Sequence, residues 1–310
     1  MKPTWIAPAV FVALAVLALP FGLDAWGQGT EKARAELNAA IEAAEKVKVA
    51  GPSEVKLIDQ AVMKLPKGFL YVPEPQGSGL LAAMGNRAGE GLLGLIFPEG
   101  QEQWFVVMRF IKSGYVKDDD AKDWKADELL KGIKEGTEEA NSERRSRGLP
   151  EVEVVGWVEP PAYDAKTHRL VWSLSSKQKN EPPGAERGVN YNTYALGRQG
   201  YISLNLVTGA NTIQQEKPVA HQLLAALDYN EGRRYADFNS ATDHVAEFGL
   251  AALVGGIAAK KLGLFALLAA FLLKFWKILA VAVVALIAVL PRLFGKKKQA
   301  ESAPPSPPAA

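Results

Sequence analysis

The sequence predicts an α+β domain, a mainly antiparallel sheet packed against helices, with a membrane-directed segment at each end. Three observations carry this. Short apolar or β-branched runs fall in two groups, before and after one long amphipathic helix, and a further helix closes the series. Turn residues separate the runs at short intervals. Apolar stretches at residues 6–19 and 248–290 bracket the polar middle, and Arg292, Lys296, Lys297 and Lys298 follow the second.

Residues 31–49 are rich in Ala, Glu and Lys, and Ala33, Leu37, Ile41 and Ala44 recur at helical spacing. They form an amphipathic helix ended by Gly51-Pro52, with a stripe thin enough for a solvent-facing arm. Residues 55–65 alternate loosely, Pro66-Lys67-Gly68 turns the chain, and 69–72 resume as strand. Residues 79–84 read as a short helix. Residues 92–97 and 104–111 read as paired strands, bounded by Pro98-Glu99-Gly100 and Ser113-Gly114. In 125–147, Ala126, Leu129, Leu130, Ile133, Thr137 and Ala140 share one helix face. Asp123 fits the N-cap, and Gly148 and Pro150 end that helix.

The next strand, 152–159, is expected to stop at Pro160-Pro161. After a turn at Asp164-Ala165-Lys166-Thr167, His168, Leu170, Trp172 and Leu174 alternate with Arg169, Val171, Ser173 and Ser175. Residues 189–196 and 201–207 form a hairpin around Gly197-Arg198-Gln199-Gly200, and 217–227 a final helix with Pro218 in its first turn.

The two ends set the domain plan. Lys2, the apolar run 6–19 and the small residues of Ala25-Trp26-Gly27 form a secretory signal over 1–27, with an uncleaved anchor as the alternative; either one exports the polar middle of the chain. Residues 28–50 are the helical arm and 51–245 the exported domain. Residues 272–290 are long enough to span, with Lys274, Trp276 and Lys277 at one interface and Arg292 to Lys298 on the cytoplasmic side. Residues 291–310 are the basic end and a Pro/Ala-rich tail. Between domain and span, residues 246–271 are apolar but carry Lys260 and Lys261, which would each cost about 2.5–3.5 kcal/mol inside a bilayer. An interfacial helix fits better. Gly249, Gly256 and Gly263 recur every seven residues there, a stripe through which copies could associate, or simply the glycine common in membrane helices.

Net charge is +2 and cysteine is absent. No basic stripe with interleaved aromatics points to nucleic acid, and disulfides, thiolate metal sites and cysteine nucleophiles are excluded. No cofactor is expected. Gly89-Glu90-Gly91-Leu92-Leu93-Gly94 matches GxGxxG without the strand before and helix after that a nucleotide needs. Asp118, Asp119, Asp120 and Asp123 could hold a divalent cation, or simply precede a helix whose dipole favours acid there. His168 stands on an apolar strand face, and the three histidines form no HExxH motif.

The hairpin is more informative. If Leu196 opposes Tyr201, the pairs are Tyr194 with Ser203, Asn192 with Asn205, and Asn190 with Val207. One face then carries Val189, Tyr191, Thr193, Ala195, Ile202, Leu204 and Leu206 as core. The other gathers Asn190, Asn192, Tyr194, Ser203 and Asn205, a polar patch that reads as a solvent-accessible site for a ligand or partner, or as a sheet face that is simply solvated or covered by a helix.

Several stretches carry a family resemblance. They are Ala83-Met84-Gly85-Asn86-Arg87, Ser113-Gly114-Tyr115-Val116-Lys117-Asp118-Asp119-Asp120, and Val155-Gly156-Trp157-Val158-Glu159-Pro160-Pro161-Ala162-Tyr163-Asp164. Val189-Asn190-Tyr191-Asn192-Thr193, Tyr235-Ala236-Asp237-Phe238 and Gly249-Leu250-Ala251-Ala252-Leu253-Val254-Gly255-Gly256 complete the set. The chain resembles a bacterial family of membrane-anchored proteins of unknown function, which implies a signal-directed domain with a C-terminal anchor and no particular activity. In element order it also looks like the sandwich of PsbP-type extrinsic photosystem proteins. The expectation is a non-catalytic binding or interaction module, on the periplasmic side of the bacterial cytoplasmic membrane. The alternatives are an envelope hydrolase using Asp118 to Asp123 or His168, and a self-assembling structural membrane protein.

Overall fold

The alternation of residues 189–207 places the centre of the fold. The computed structural model describes residues 31–255 apart from 147 and 183. The expected signal, Gly256, Gly263, the span at 272–290, and Lys274, Trp276, Lys277, Arg292, Lys296, Lys297 and Lys298 lie outside the described residues. Among those described, no helix is long and apolar enough to cross a membrane.

The first half contains α1 (Glu31–Glu45), β1 (Val49–Ala50), β2 (Ser53–Leu57), β3 (Ala61–Leu65), β4 (Phe69–Pro73), α2 (Gln76–Ala83), β5 (Leu92–Pro98) and β6 (Phe105–Ile111). The second contains α3 (Ala126–Ser146), β7 (Val152–Asp164), β8 (Arg169–Gln178), β9 (Gly188–Gly197), β10 (Gly200–Gly209), α4 (Ile213–Ala225) and β11 (Leu227–Tyr229). An eight-stranded sheet runs β1-β4-β5-β6-β10-β9-β8-β7, and a three-stranded sheet runs β11-β3-β2. All pairings between these strands are antiparallel. The domain is α+β, as expected.

One face of the large sheet packs on the small sheet and α4. Leu57, Met63 and Leu65 cluster there with Met108, Ile202, Leu204 and Leu206, and with Leu223 and Leu224. The other face is divided. Leu80 and Leu81 of α2 cluster with Leu92, Leu95, Val107 and Val207, and Ala44 of α1 joins them. Leu129 and Ile133 of α3 cluster with Leu170, Trp172, Leu174 and Tyr194. Each fully buried aliphatic side chain contributes about 1.5–3 kcal/mol, so these three clusters hold the fold together.

The hairpin register is the expected one, with Leu196 opposite Tyr201, Tyr194 opposite Ser203, Asn192 opposite Asn205 and Asn190 opposite Val207. Three elements differ. β7 continues through Pro160 and Pro161, because it is an edge strand where a missing N–H faces no neighbour. Its register shifts between Glu159 and Ala162 accommodate the prolines. α4 starts at Ile213, not 217, and carries Pro218 inside. Burial of Ile213, and the Thr208 and Thr212 hydroxyls that donate to the buried Glu216, extend it backward despite the N–H that Pro218 removes.

The third difference is the domain boundary. Residues 250–255 are helical, and Leu250, Leu253 and Val254 turn into the α3 cluster at i, i+3, i+4 spacing. The described start of the expected membrane-associated segment therefore packs on the sheet, and the domain runs past 245. Asp120 accepts from the N–H groups of Leu250 (3.0 Å) and Ala251 (3.1 Å), capping this helix from a distant loop. A Cβ at Gly249 would collide with that carboxylate, so this glycine makes room for the cap. The preceding residues are strapped across the hairpin end. Arg198 grips Asp243 through both carboxylate oxygens (2.7 and 2.9 Å), which holds the Asp243 carboxyl far below its usual range. Tyr115 stacks on Tyr235 and Phe238.

Candidate functional site

The five polar residues of the hairpin do share a face, but the face is dry. Asn190, Asn192, Tyr194, Ser203 and Asn205 are only 3–8% exposed. The expectation of a solvent-accessible patch is corrected: α2 on one side and α3 with residues 250–255 on the other cover this face of the sheet. The residues remain together. Cross-strand pairing lines up Leu170, Tyr194, Ser203 and Arg109 in one row, and Trp172, Asn192, Asn205 and Val107 in the next. The α2 cluster claims Val107 and Val207, and the α3 cluster claims Trp172 and Tyr194. The polar residues thus form a seam between two apolar cores on one sheet face.

Buried polar groups normally find partners. Some here do. Asn205 donates to Asn190 Oδ1 (3.2 Å) and Asn192 to the Asn190 carbonyl (3.4 Å). Others do not. Asn205 Oδ1 is buried without a donor. The Trp172 indole N–H is buried beside the Tyr194 phenol without a hydrogen bond of good geometry. Burial pushes the Tyr194 phenol far above its usual value, while the Arg109 charge pulls the other way.

Arg109 is the group that sequence reading missed. It is 2% exposed, and desolvation lowers its pKa. Its Nε and Nη2 both donate to one acceptor, the Ala88 carbonyl, at 3.1 and 2.6 Å. Among the described residues, no carboxylate pairs with it. The signal was present: Arg109 is the lone charge within the run Phe105-Val106-Val107-Met108-Arg109-Phe110-Ile111.

The runner-up chemistry also converges more than its sequence spacing indicates. Tyr163 donates to Asp118 Oδ2 (2.7 Å) and meets His168 Nδ1 at 3.1 Å. With its single proton on the carboxylate, the phenol accepts from Nδ1–H. His168, at φ 54°, also stacks on Tyr235. A second constellation of the same kind lies under α4. Tyr191 donates to Glu159 (2.9 Å) and meets His221 Nε2 (2.9 Å), and Lys217 pairs with Glu159. Both phenols are pushed far up, by burial first and then by the bonded carboxylate. Both are held as neutral donors to those carboxylates.

The aspartate cluster does not converge. Asp118 goes to Tyr163 and Asp120 to the helix start at Leu250, and no group of three His, Asp or Glu among the described residues could hold a metal. Gly91 and Gly94 of the GxGxxG run are set against the sheet, and Gly89 lies in the preceding loop. A Cβ at Gly91 would strike the Phe110 carbonyl, and one at Gly94 would strike Tyr71 and Val72 beside the β5 irregularity.

A family profile described as "Protein of unknown function (DUF2167)" matches residues 49–285. The chain belongs to the DUF2167 family. This agrees with the resemblance carried by its sequence segments. Among solved structures, this DUF2167 chain is similar to the solution structure of cyanobacterial PsbP (CyanoP) from Synechocystis sp. PCC 6803, with a TM-score of 0.36 and 10% identity, over 59% of this chain and 91% of that one. A search of curated proteins finds no match.

Proposed function

We propose that this DUF2167 chain is a binding or interaction module of the bacterial envelope that performs no chemistry. The N-terminal segment exports it, residues 272–290 anchor it in the cytoplasmic membrane, and the α+β domain works on the periplasmic side. The seam is the observation that carries the binding half: Asn190, Asn192, Tyr194, Ser203 and Asn205 gather between two apolar cores with buried polar groups still unmatched. Asp118 and Glu159, the carboxylates beside His168 and His221, are engaged by the Tyr163 and Tyr191 hydroxyls. The apolar ends and the basic residues after Leu290 support the placement.

Protease added to spheroplasts should digest the domain without lysis; a domain cut only after lysis sinks the exported placement. Native mass spectrometry of the chain taken gently from membranes should show a bound mass that Asn192→Ala with Asn205→Ala removes. A chain with no such mass, or one whose adduct survives both substitutions, overturns the binding reading.

A further inference from the structure

We propose that the seam binds a small oxyanion, a carboxylate or phosphoryl group, on the Arg109 guanidinium beneath a lid formed by residues 84–91. The inference names a ligand class for the seam and rests on the reading of the seam as a binding site. It is independent of where in the cell the domain lies.

A guanidinium carries five donors in a planar fork. At Arg109 two of them converge on a single neutral carbonyl, that of Ala88. Burying a cation with so little compensation is costly, and an oxyanion accepting both donors side by side is the natural remedy. Other groups of the seam suit the same charge. The Trp172 indole N–H is a buried donor without a well-placed acceptor, and the Tyr194 hydroxyl stands beside it. Ser203 lies directly across from Arg109. One row along, Asn205 Oδ1 is a buried acceptor without a donor, suited to a hydroxyl on the ligand.

The lid has the features of a segment that can move. Gly85 and Gly89 sit at positive φ (76° and 72°), a region open to glycine at no steric cost, while Gly91, whose carbonyl accepts from the Phe110 N–H (2.9 Å), fixes the far end of the segment to β6. Gly89 lies over the guanidinium, where an added Cβ would stand 3.6 Å from Arg109 Nε. Between Arg87 and Glu90 the lid is held by the Ala88 carbonyl on Arg109, by Ala88 packing against the α2 cluster, and by an exposed ion pair from Arg87 to Glu143 of α3 at 3.4 Å. A ligand oxygen taking the place of the Ala88 carbonyl would satisfy Arg109 and release the loop together. The competing explanation, an arginine that merely staples a loop, predicts no response to anions.

The test is thermal unfolding of the full chain in detergent, in sodium phosphate or sodium acetate against sodium chloride at equal ionic strength. At about ten times Kd the matching ion should raise Tm by about 3–6 °C beyond chloride. The ion that acts more strongly distinguishes a phosphoryl from a carboxylate ligand. Arg109→Gln should abolish the shift. Trp172→Phe keeps the packing but removes the indole donor, and should at least halve it. Arg87→Ala frees the lid from Glu143 and should lower the half-effective ion concentration by about two- to three-fold. The proposal fails if neither ion shifts Tm beyond chloride, or if Arg109→Gln responds like the wild type. Should Arg109→Gln not fold, an undiminished shift in Trp172→Phe with an unchanged midpoint in Arg87→Ala overturns it.

Discussion

Ending the chain at Thr242 should undo the core on the α3 side of the sheet. The cut removes Leu250, Leu253 and Val254, which are 0%, 5% and 2% exposed. At about 1.5–3 kcal/mol for each fully buried aliphatic side chain, the three contribute about 5–9 kcal/mol before allowance for residual burial in the unfolded chain. The cut also removes the Asp243 carboxylate that Arg198 grips, and leaves Asp120 without the helix start it caps. A whole domain is typically stable by only about 5–15 kcal/mol. The sequence alone ends the domain at 245 and puts residues 246–271 in a separate membrane-associated segment, which would leave these three residues outside the core. The control is a chain ending at Gly255. Thermal unfolding followed by far-ultraviolet circular dichroism should give that chain one cooperative transition. The Thr242 chain should melt at least 10–20 °C lower, at about 2–4 °C per kcal/mol, or show no transition. Coincident transitions in the two chains would refute the reasoning, since Leu250, Leu253 and Val254 would then contribute nothing to the fold.

Further outcomes rest on the same contacts. Leu204→Ala, at 2% exposure between the two sheets, should cost about 2–5 kcal/mol in urea denaturation. Asn141→Ala should cost about 2–4 kcal/mol, because the Asn141 amide bonds both the N–H and the carbonyl of Val152 at 2.9 Å and would leave both buried groups unpaired. Asn192→Ala should destabilise by about 1–3 kcal/mol, not the few tenths expected of a wet face, because Asn192 is 3% exposed. Asp243→Asn should lower Tm at neutral pH. The Asp243 carboxyl is depressed in the folded state, so its contribution is present above the unfolded value near 3.8 and is lost as pH falls below it. The Tm difference between wild type and Asp243→Asn should therefore shrink as pH drops from 4 toward 2, and a difference independent of pH would count against the pair.

What the sequence disclosed was whatever depends on nearby residues. Alternation in Val189 to Val207 and a four-residue turn determine the hairpin register, because a slip of one residue would move Ile202, Leu204 and Leu206 off the face that packs on the small sheet and α4. The stripe of Leu129, Ile133 and Thr137 located α3 for the same reason. What covers a sheet face depends on distant segments and is not written locally. The polar patch therefore looked wet, although it lies buried between the α2 cluster and the cluster of α3 with residues 250–255. Pro160-Pro161 looked like a strand end because edge position is a property of the whole sheet. The meeting of Asp118 with His168 required Tyr163, which no spacing rule singles out. Arg109 was overlooked because a lone charge within an apolar strand carries no motif.

The two ends of the large sheet limit how this domain can meet another. An extended peptide or a second copy joins a sheet by pairing with a regular run of free N–H and C=O groups along an outer strand. β1, at one end, offers two residues. β7, at the other, has two prolines and three register shifts, which break the spacing such pairing requires. Strand addition is disfavoured on both sides. Neighbouring copies should therefore not zip into a continuous β-structure through the large sheet.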